Sequence, residues 1–192
     1  MYITRELHIK GMVCRRCIRV VKSELHHLGA ETVSVELGKA IIKYPTDAII
    51  TDESIIDMLV KNDLQLLNDE ESKLIEKIKI TLIQLVEELP IIIKINISQL
   101  LSEKLGKEYS SLSKLFSRVL GVTIEKYFIH LKIEKTKELI QDGEWNFSEI
   151  AYDLGYSSVN HLSNQFRQTT GMSMSEYKKM SAWNRISLDK IL

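Results

Sequence analysis

The sequence is poor in helix breakers, with two prolines, Pro45 and Pro90, and eight glycines in 192 residues. That excludes collagen-like and low-complexity chains, and it leaves long stretches free to be helical. There are two cysteines, Cys14 and Cys17, too few for a disulfide scaffold. In a reducing compartment so close a pair suits a metal or redox site better than a structural bridge. No apolar run approaches the roughly 20 residues of a membrane span, and MYITRELHIK has charges where a signal peptide needs an apolar core. A cytoplasmic protein is the expectation. The formal net charge is zero, so nothing in the overall electrostatics announces a nucleic-acid partner, and any such reading must rest on local pattern. Nor is there a nucleophile–base constellation, a Gly-rich phosphate loop or a paired-carboxylate site, and no enzyme is expected.

What is present is ordinary globular material, 44% hydrophobic and 27% charged, at a length that leans towards two domains. Up to Asn68 short elements alternate. An apolar-alternating run, Ile3 to Ile9, precedes a helix-length stretch from Arg15 to Leu28 that closes at Gly29. Strand-like runs at Thr32–Leu37 and Lys39–Tyr44 are split by Gly38, where a positive φ is cheap and a hairpin turn natural. Asp52 is a plausible N-cap for a helix ending near Asn62, and Leu64 to Leu67 completes the series. Strand, helix, strand, strand, helix, strand is the ferredoxin-like order, so the expected class is α+β with such a domain over residues 1–68.

Ile75, Ile78, Leu82, Leu85 and Leu89 then recur at spacings of three and four until Pro90. One helical seam of this kind over residues 69–90 suits either a homodimer through the 75–89 helix or docking on a neighbouring domain. Beyond it the chain looks helical, and it repeats itself at an offset of 50 residues. Leu112, Ser113, Phe116, Gly121 and Tyr127 return as Leu162, Ser163, Phe166, Gly171 and Tyr177. One supersecondary unit used twice explains this.

Each copy opens with a serine suited to N-capping, Ser98 or Ser148, and then meets a glycine, Gly106 or Gly155. Helix, short glycine turn and second helix is the helix-turn-helix plan, whose second helix enters the major groove. With Ile150, Ala151, Leu154, Leu162 and Phe166 inward, Asn160, His161, Ser163 and Asn164 face out. The matching outward set is Ser110, Ser111, Ser113 and Lys114. Asn can bond adenine in bidentate fashion, Lys reaches guanine acceptors and Ser tolerates several partners, although polar residues on an exposed face are usually only solvated. Ile124 to Gln141 has no Gly or Pro and should form one helix of roughly 27 Å. A strut of that order, plus loops, can hold two heads in successive major grooves about 34 Å apart.

GKEYSSLSKLFSRVLGVTIEKYF and SEIAYDLGYSSVNHLSNQFRQTTGMSMSEYKK resemble the two halves of an AraC/XylS-type DNA-binding domain. The likeness covers about Ser98 to Lys179, within an expected domain at 91–183 that leaves a tail at 184–192. By this resemblance the recognition helices are about Tyr109–Val119 and Ser158–Thr170, with Ser110, Ser113, Lys114, Asn160, His161, Ser163 and Asn164 facing bases. Arg118, Arg167, Lys178 and Lys179 would meet the phosphate backbone of double-stranded DNA. Met174 stands where the family usually has proline, a change expected to loosen a turn and leave the fold intact.

Gly11-Met12-Val13-Cys14-Arg15-Arg16-Cys17 lies between the first strand and first helix. Two thiolates three apart at a helix N-terminus can converge on one ion, with both pKa values expected to fall in the helix dipole. Soft sulfur favours Cu(I) or another thiophilic ion, whereas zinc prefers four ligands. The loop resembles that of heavy-metal-associated domains of copper chaperones and metal-pumping ATPases. That likeness implies Cys14 and Cys17 as ligands and Met12 packed beneath the loop. Together the parts suggest a metal-gated transcription regulator; a metal carrier whose helical half binds proteins is the alternative. A thiol–disulfide enzyme fits poorly, and His8, His26 and His27 read as surface or satisfied histidines.

Overall fold

The computed structural model describes residues 1–91, 96–180, 182 and 184–191. Positions 92–95, 181, 183 and 192 of the expected 91–183 domain and its tail lie outside the described residues. The chain divides into two units, Met1–Ile80 and Thr81–Leu192.

In the first unit the elements are β1 (Tyr2–Lys10), α1 (Arg15–His27), β2 (Glu31–Glu36), β3 (Lys39–Pro45), α2 (Asp52–Val60) and β4 (Gln65–Leu67). The strands form one antiparallel sheet in the order β2-β3-β1-β4. β3 shows why: Ala40, Ile42 and Tyr44 are buried while Lys39, Ile41 and Lys43 between them are not, the period of a sheet covered on one face. Leu7 and Ile9 of β1 join that face, and Val21 and Leu25 of α1 with Ile55, Met58 and Leu59 of α2 close the core over it. Gly38 turns β2 into β3 at φ +74°, and a Cβ there would lie 2.4 Å from Ile80 Cδ1.

One expectation for α2 needs correction. Its N-cap is Thr51, not Asp52: Thr51 Oγ1 accepts from the Ser54 amide at 3.2 Å, and Ser54 Oγ accepts from the Thr51 amide at 3.1 Å. This reciprocal box satisfies two orphan donors at once, leaving Asp52 in the first turn, where its charge suits the dipole and pairs with Arg5 at 2.5 Å. The helix runs to Val60 with Lys61 as its C-cap, as expected near Asn62; beyond it Asn62 Nδ2 donates to Met58 O at 2.8 Å and Asp63 takes a positive φ of 57°.

α3 (Glu70–Glu87) contains the apolar seam. Ile75, Ile78 and Leu82 are buried, and Leu89 lies past the helix end. The helix supplies its residues up to Ile80 to the first unit and the remainder to the second.

The second unit contains α4 (Ile97–Leu105), α5 (Tyr109–Leu120), α6 (Ile124–Asp142), α7 (Phe147–Asp153), α8 (Val159–Thr170), α9 (Met174–Lys178) and a 3₁₀ turn at Leu188–Lys190. The capping serines were misplaced by two residues, since Asn96 and Asn146 are the N-caps. Asn96 Oδ1 accepts from the Gln99 amide at 2.8 Å and from Ser98 Oγ at 2.6 Å. Asn146 Oδ1 accepts from the Ser148 and Glu149 amides at 2.9 and 3.0 Å, and Glu149 returns a carboxylate to the Asn146 amide at 2.8 Å. An asparagine at the cap reaches N2 and N3, so each serine falls inside the first turn.

Candidate DNA interface and cysteine loop

α5 and α8 are each 12 residues long, and they begin 50 positions apart. Their exposure repeats residue for residue over the first two turns. Ser110 and Ser111 are exposed, Leu112 buried, Ser113 half-buried, Lys114 exposed, Leu115 half-buried and Phe116 buried. Asn160, His161, Leu162, Ser163, Asn164, Gln165 and Phe166 follow the same order. Leucine and phenylalanine four apart fix the inward line, so the residues opposite it must face water. Each phenylalanine is seated against a tyrosine of the following helix: Phe116 lies 5.5 Å from Tyr127 and Phe166 lies 5.7 Å from Tyr177, between ring centroids. The expected outward set therefore holds with one difference. Ser113 and Ser163 sit on the flank, because each directly follows a fully buried leucine.

In both copies the first helix meets the second through a left-handed glycine, Gly106 at φ +63° and Gly155 at φ +68°. The exits repeat too, at Gly121 and Gly171, followed by the N-caps Thr123 and Ser173. Met174 begins α9 where the resemblance leads one to expect proline. The turn is held instead by a capping box, with Ser173 Oγ accepting from Glu176 N at 3.2 Å and Glu176 Oε2 from Ser173 N at 2.7 Å.

The helices α5 and α8 differ in how they start. Ser158 caps α8 by accepting from His161 N at 3.2 Å. His161 Nδ1 is 3.3 Å from Ser157 Oγ, and its ring stands edge-on to Tyr156 at 5.2 Å. The N-cap of α5, Glu108, makes no side-chain capping bond, and Tyr109 instead donates its hydroxyl to Glu125 of α6. That hydrogen bond holds the Glu125 carboxyl below its usual range, whereas burial and the carboxylate push the Tyr109 phenol up. Arg118, Arg167, Lys178 and Lys179 are all exposed.

α6 joins the two copies as a single helix of 19 residues, about 28 Å long. It is held by charge as well as by apolar packing. Lys135, 7% exposed, lies 2.7 Å from Glu138 and 3.2 Å from Glu87, and Glu138 also pairs with Arg185 at 2.5 Å. Burial pulls the Lys135 amine down, but these carboxylates outweigh it and leave the amine above its ordinary value. Lys132 has no carboxylate partner among the described residues. Its ammonium lies over the rings of Phe128 and Tyr156, and burial lowers its pKa to about 8.

In the first unit, Gly11 leaves β1 at φ +89°, Met12 is wholly buried, and Cys14 occupies the N-cap of α1. The Cys14 and Cys17 sulfurs are 3.3 Å apart, with Cys14 exposed and Cys17 half-buried. The expectation that both thiols are acidified holds for one only. Burial works against Cys14, but hydrogen bonds from Cys17, the Arg16 amide and the Arg16 charge outweigh it and lower its pKa. Cys17 is pushed up by its deeper burial and by Cys14 beside it. Among the described residues no group of three or more His, Cys, Asp or Glu side chains converges. His8 instead reaches Glu6 at 2.8 Å and His27 reaches Glu24 at 3.8 Å. A contact not foreseen from the sequence comes from α3: buried Glu76 accepts a hydrogen bond from the Gly11 amide at 2.8 Å. Its only sequence signal was a charge placed between Ile75 and Ile78 of the apolar seam.

Residues 101–180 match the family model of a helix-turn-helix domain, so the chain carries such a domain in its second unit. Over 73 residues it is 32% identical to the uncharacterized HTH-type transcriptional regulator YdeC of Bacillus subtilis, covering 38% of this chain and 25% of that one. Over 132 residues it is 27% identical to the probable transcriptional regulator LumQ of Photobacterium leiognathi, covering 66% and 53%. The chain thus spans about half or less of the length of these curated relatives. A crystal structure of an AraC-type transcriptional regulator from Chromobacterium violaceum superposes with a TM-score of 0.49 at 17% identity, over 59% of this chain and all of that one. Among the described residues no helix is long and apolar enough to cross a membrane.

Proposed function

We propose that this chain is a cytoplasmic, non-enzymatic transcription regulator of the AraC/XylS type that binds double-stranded DNA through α5 and α8. One observation carries the reading: two 12-residue helices, 50 positions apart, present the same exposed and buried order. A duplicated reading head on a strut of about 28 Å suits adjacent major grooves, and one polypeptide can then bind a site that is not a palindrome. Ser110, Lys114, Asn160, His161 and Asn164 face the bases, with Ser113 and Ser163 at the flank and Arg118 and Arg167 on phosphates. Because Ile75, Ile78 and Leu82 are already buried within one chain, the α3 seam is not read as a homodimer interface.

The first unit is read as a ferredoxin-like, heavy-metal-associated domain, supported by its strand order and by the seating of Met12 beneath the loop. Two sulfurs 3.3 Å apart, one exposed, with no third ligand among the described residues, fit a two-coordinate thiophilic ion such as Cu(I) and do not fit a four-ligand zinc site. The bound ion would supply charge and cross-link Cys14 to Cys17, thereby gating DNA binding. Footprinting on genomic fragments with and without Cu(I) tests both parts. Protection over two successive major grooves is expected; absence of any sequence-selective protection would favour a metal carrier whose helical half binds proteins.

A further inference from the structure

α3 belongs to both units, and each of its halves makes a charged contact at a functional element. Towards its start, Glu76 is 5% exposed and its carboxylate accepts the Gly11 amide at 2.8 Å. Gly11 is the hinge of the cysteine loop, three residues before Cys14 and at a φ of +89°. One helical turn further on, Ile80 lies where a Cβ on Gly38 would collide with it, so this half of α3 meets the ends of the strands at two points, after β1 and in the β2–β3 turn. At its other end Glu87 lies 3.2 Å from Lys135 of α6, the helix joining the two reading heads.

We propose that Glu76 is the positioning residue of the cysteine loop, and that α3 carries a change at Cys14 and Cys17 to α6 through the Glu87–Lys135 ion pair. The proposal rests on the metal reading above. A buried carboxylate left without its donor is costly, so the loop and α3 must move together or separate at a penalty. An ion entering between sulfurs now 3.3 Å apart must re-orient Cys14, whose backbone is the α1 N-cap. The nearest clamp upstream is the Gly11 amide. Continuous helical hydrogen bonding makes α3 a stiff element, and α6 receives the displacement at Lys135, whose partner Glu138 continues the network to Arg185. Coupling of this kind is reciprocal: DNA binding must alter ion affinity by the same factor as the ion alters DNA binding.

The full chain carrying Glu76→Ala, Glu76→Gln or Glu87→Gln tests this. Cd(II) is the spectroscopic probe of thiolate ligation, Cu(I) is titrated against a competing chelator, and exchange at the Gly11 amide is followed by NMR. Glu76→Ala should speed Gly11 exchange at least ~10-fold while leaving Ile42 unchanged, and should shift Cu(I) affinity about 10-fold, as loss of an outer partner does. Glu76→Gln keeps an acceptor oxygen and should restore most of both. Glu87→Gln should leave Gly11 exchange and Cu(I) affinity alone while removing the effect of Cu(I) on DNA affinity. Wild-type exchange and ion affinity in Glu76→Ala would overturn the clamp, and an undiminished Cu(I) effect on DNA in Glu87→Gln would overturn the relay. Equal Cd(II) binding by a Cys14→Ser, Cys17→Ser chain would instead end the metal reading, with Gly11 exchange still judging the clamp.

Discussion

The Lys132 ammonium lies 4.7 Å from the centre of the Tyr156 ring, and through it α6 touches the turn between α7 and α8. Tyr156 in turn donates its hydroxyl to Gln165 of α8 at 2.9 Å and meets the edge of His161. A cation on a ring face is attracted by the π cloud, but here burial opposes it and brings the amine to about 8. In the unfolded chain the same amine titrates near its ordinary 10.5. Between those values the unfolded state holds more protons, so wild-type stability gains with rising pH; below pH 8 both states are protonated and the full burial penalty stands. Lys132→Met removes that gain. Melting curves from pH 7 to 10.5 should show wild type rising relative to the variant above pH 8, by about 2–4 °C for each kcal/mol. Parallel curves would mean that the amine keeps an ordinary pKa.

Asn160 is exposed at the second position of α8, where an amide can span two groups on one adenine edge. Asn160→Ala should relax base choice at one position of the site by about 1–3 kcal/mol, measured by competition among single-base variants of the footprinted fragment. Unchanged discrimination removes it from the reading face. Ser110, its counterpart in α5, has one hydroxyl that tolerates several partners, and Ser110→Ala should cost less at its own position.

Much of this was legible beforehand because it follows from periodicity. The recurrence of Leu112 and Phe116 as Leu162 and Phe166 is written in residue type alone, whereas the alternation in β3 appears only in burial, because Ala40, Ile41 and Ile42 are all apolar. Caps were less legible: Ser98 and Ser148 are good capping residues, but Asn96 and Asn146 cap the helices from two positions earlier. Acidity of the cysteines was half legible, since a dipole argument treats both alike and only the fold buries Cys17 more deeply than Cys14. The Glu76 contact was not legible at all, because a carboxylate in an apolar seam does not name the amide it will meet 65 residues away.

The salt dependence of DNA binding should be shallow. On the proposed reading no base-facing position carries arginine, and phosphate contacts would rest on Arg118, Arg167, Lys178 and Lys179, all exposed. Four such contacts correspond to a slope of about −3.6 in log affinity against log salt. Titrations from low to physiological salt on a fixed fragment measure it directly. A slope near −9 would demand about ten phosphate contacts and a different binding surface.

The capping geometry separates two readings of the second unit that differ by only two residues. Asn146 satisfies two amides of α7 and receives Glu149 in return, whereas the Ser148 side chain makes no hydrogen bond among the described residues. Asn146→Ala should therefore cost about 1 kcal/mol, or roughly 2–4 °C in Tm. Asn146→Asp should keep most of that stability. Ser148→Ala should stay within about 0.5 kcal/mol of wild type, as exposed substitutions usually do. Because α7 packs on α8 through Ile150, Ala151 and Leu154, loss of the Asn146 cap should also weaken binding to the half-site read by α8 more than to the half-site read by α5. Footprints of the two half-sites, taken with Asn146→Ala and with the equivalent Asn96→Ala, should lose protection at opposite ends. Equal loss at both ends from either variant would mean that the two heads do not bind as separate units on one strut.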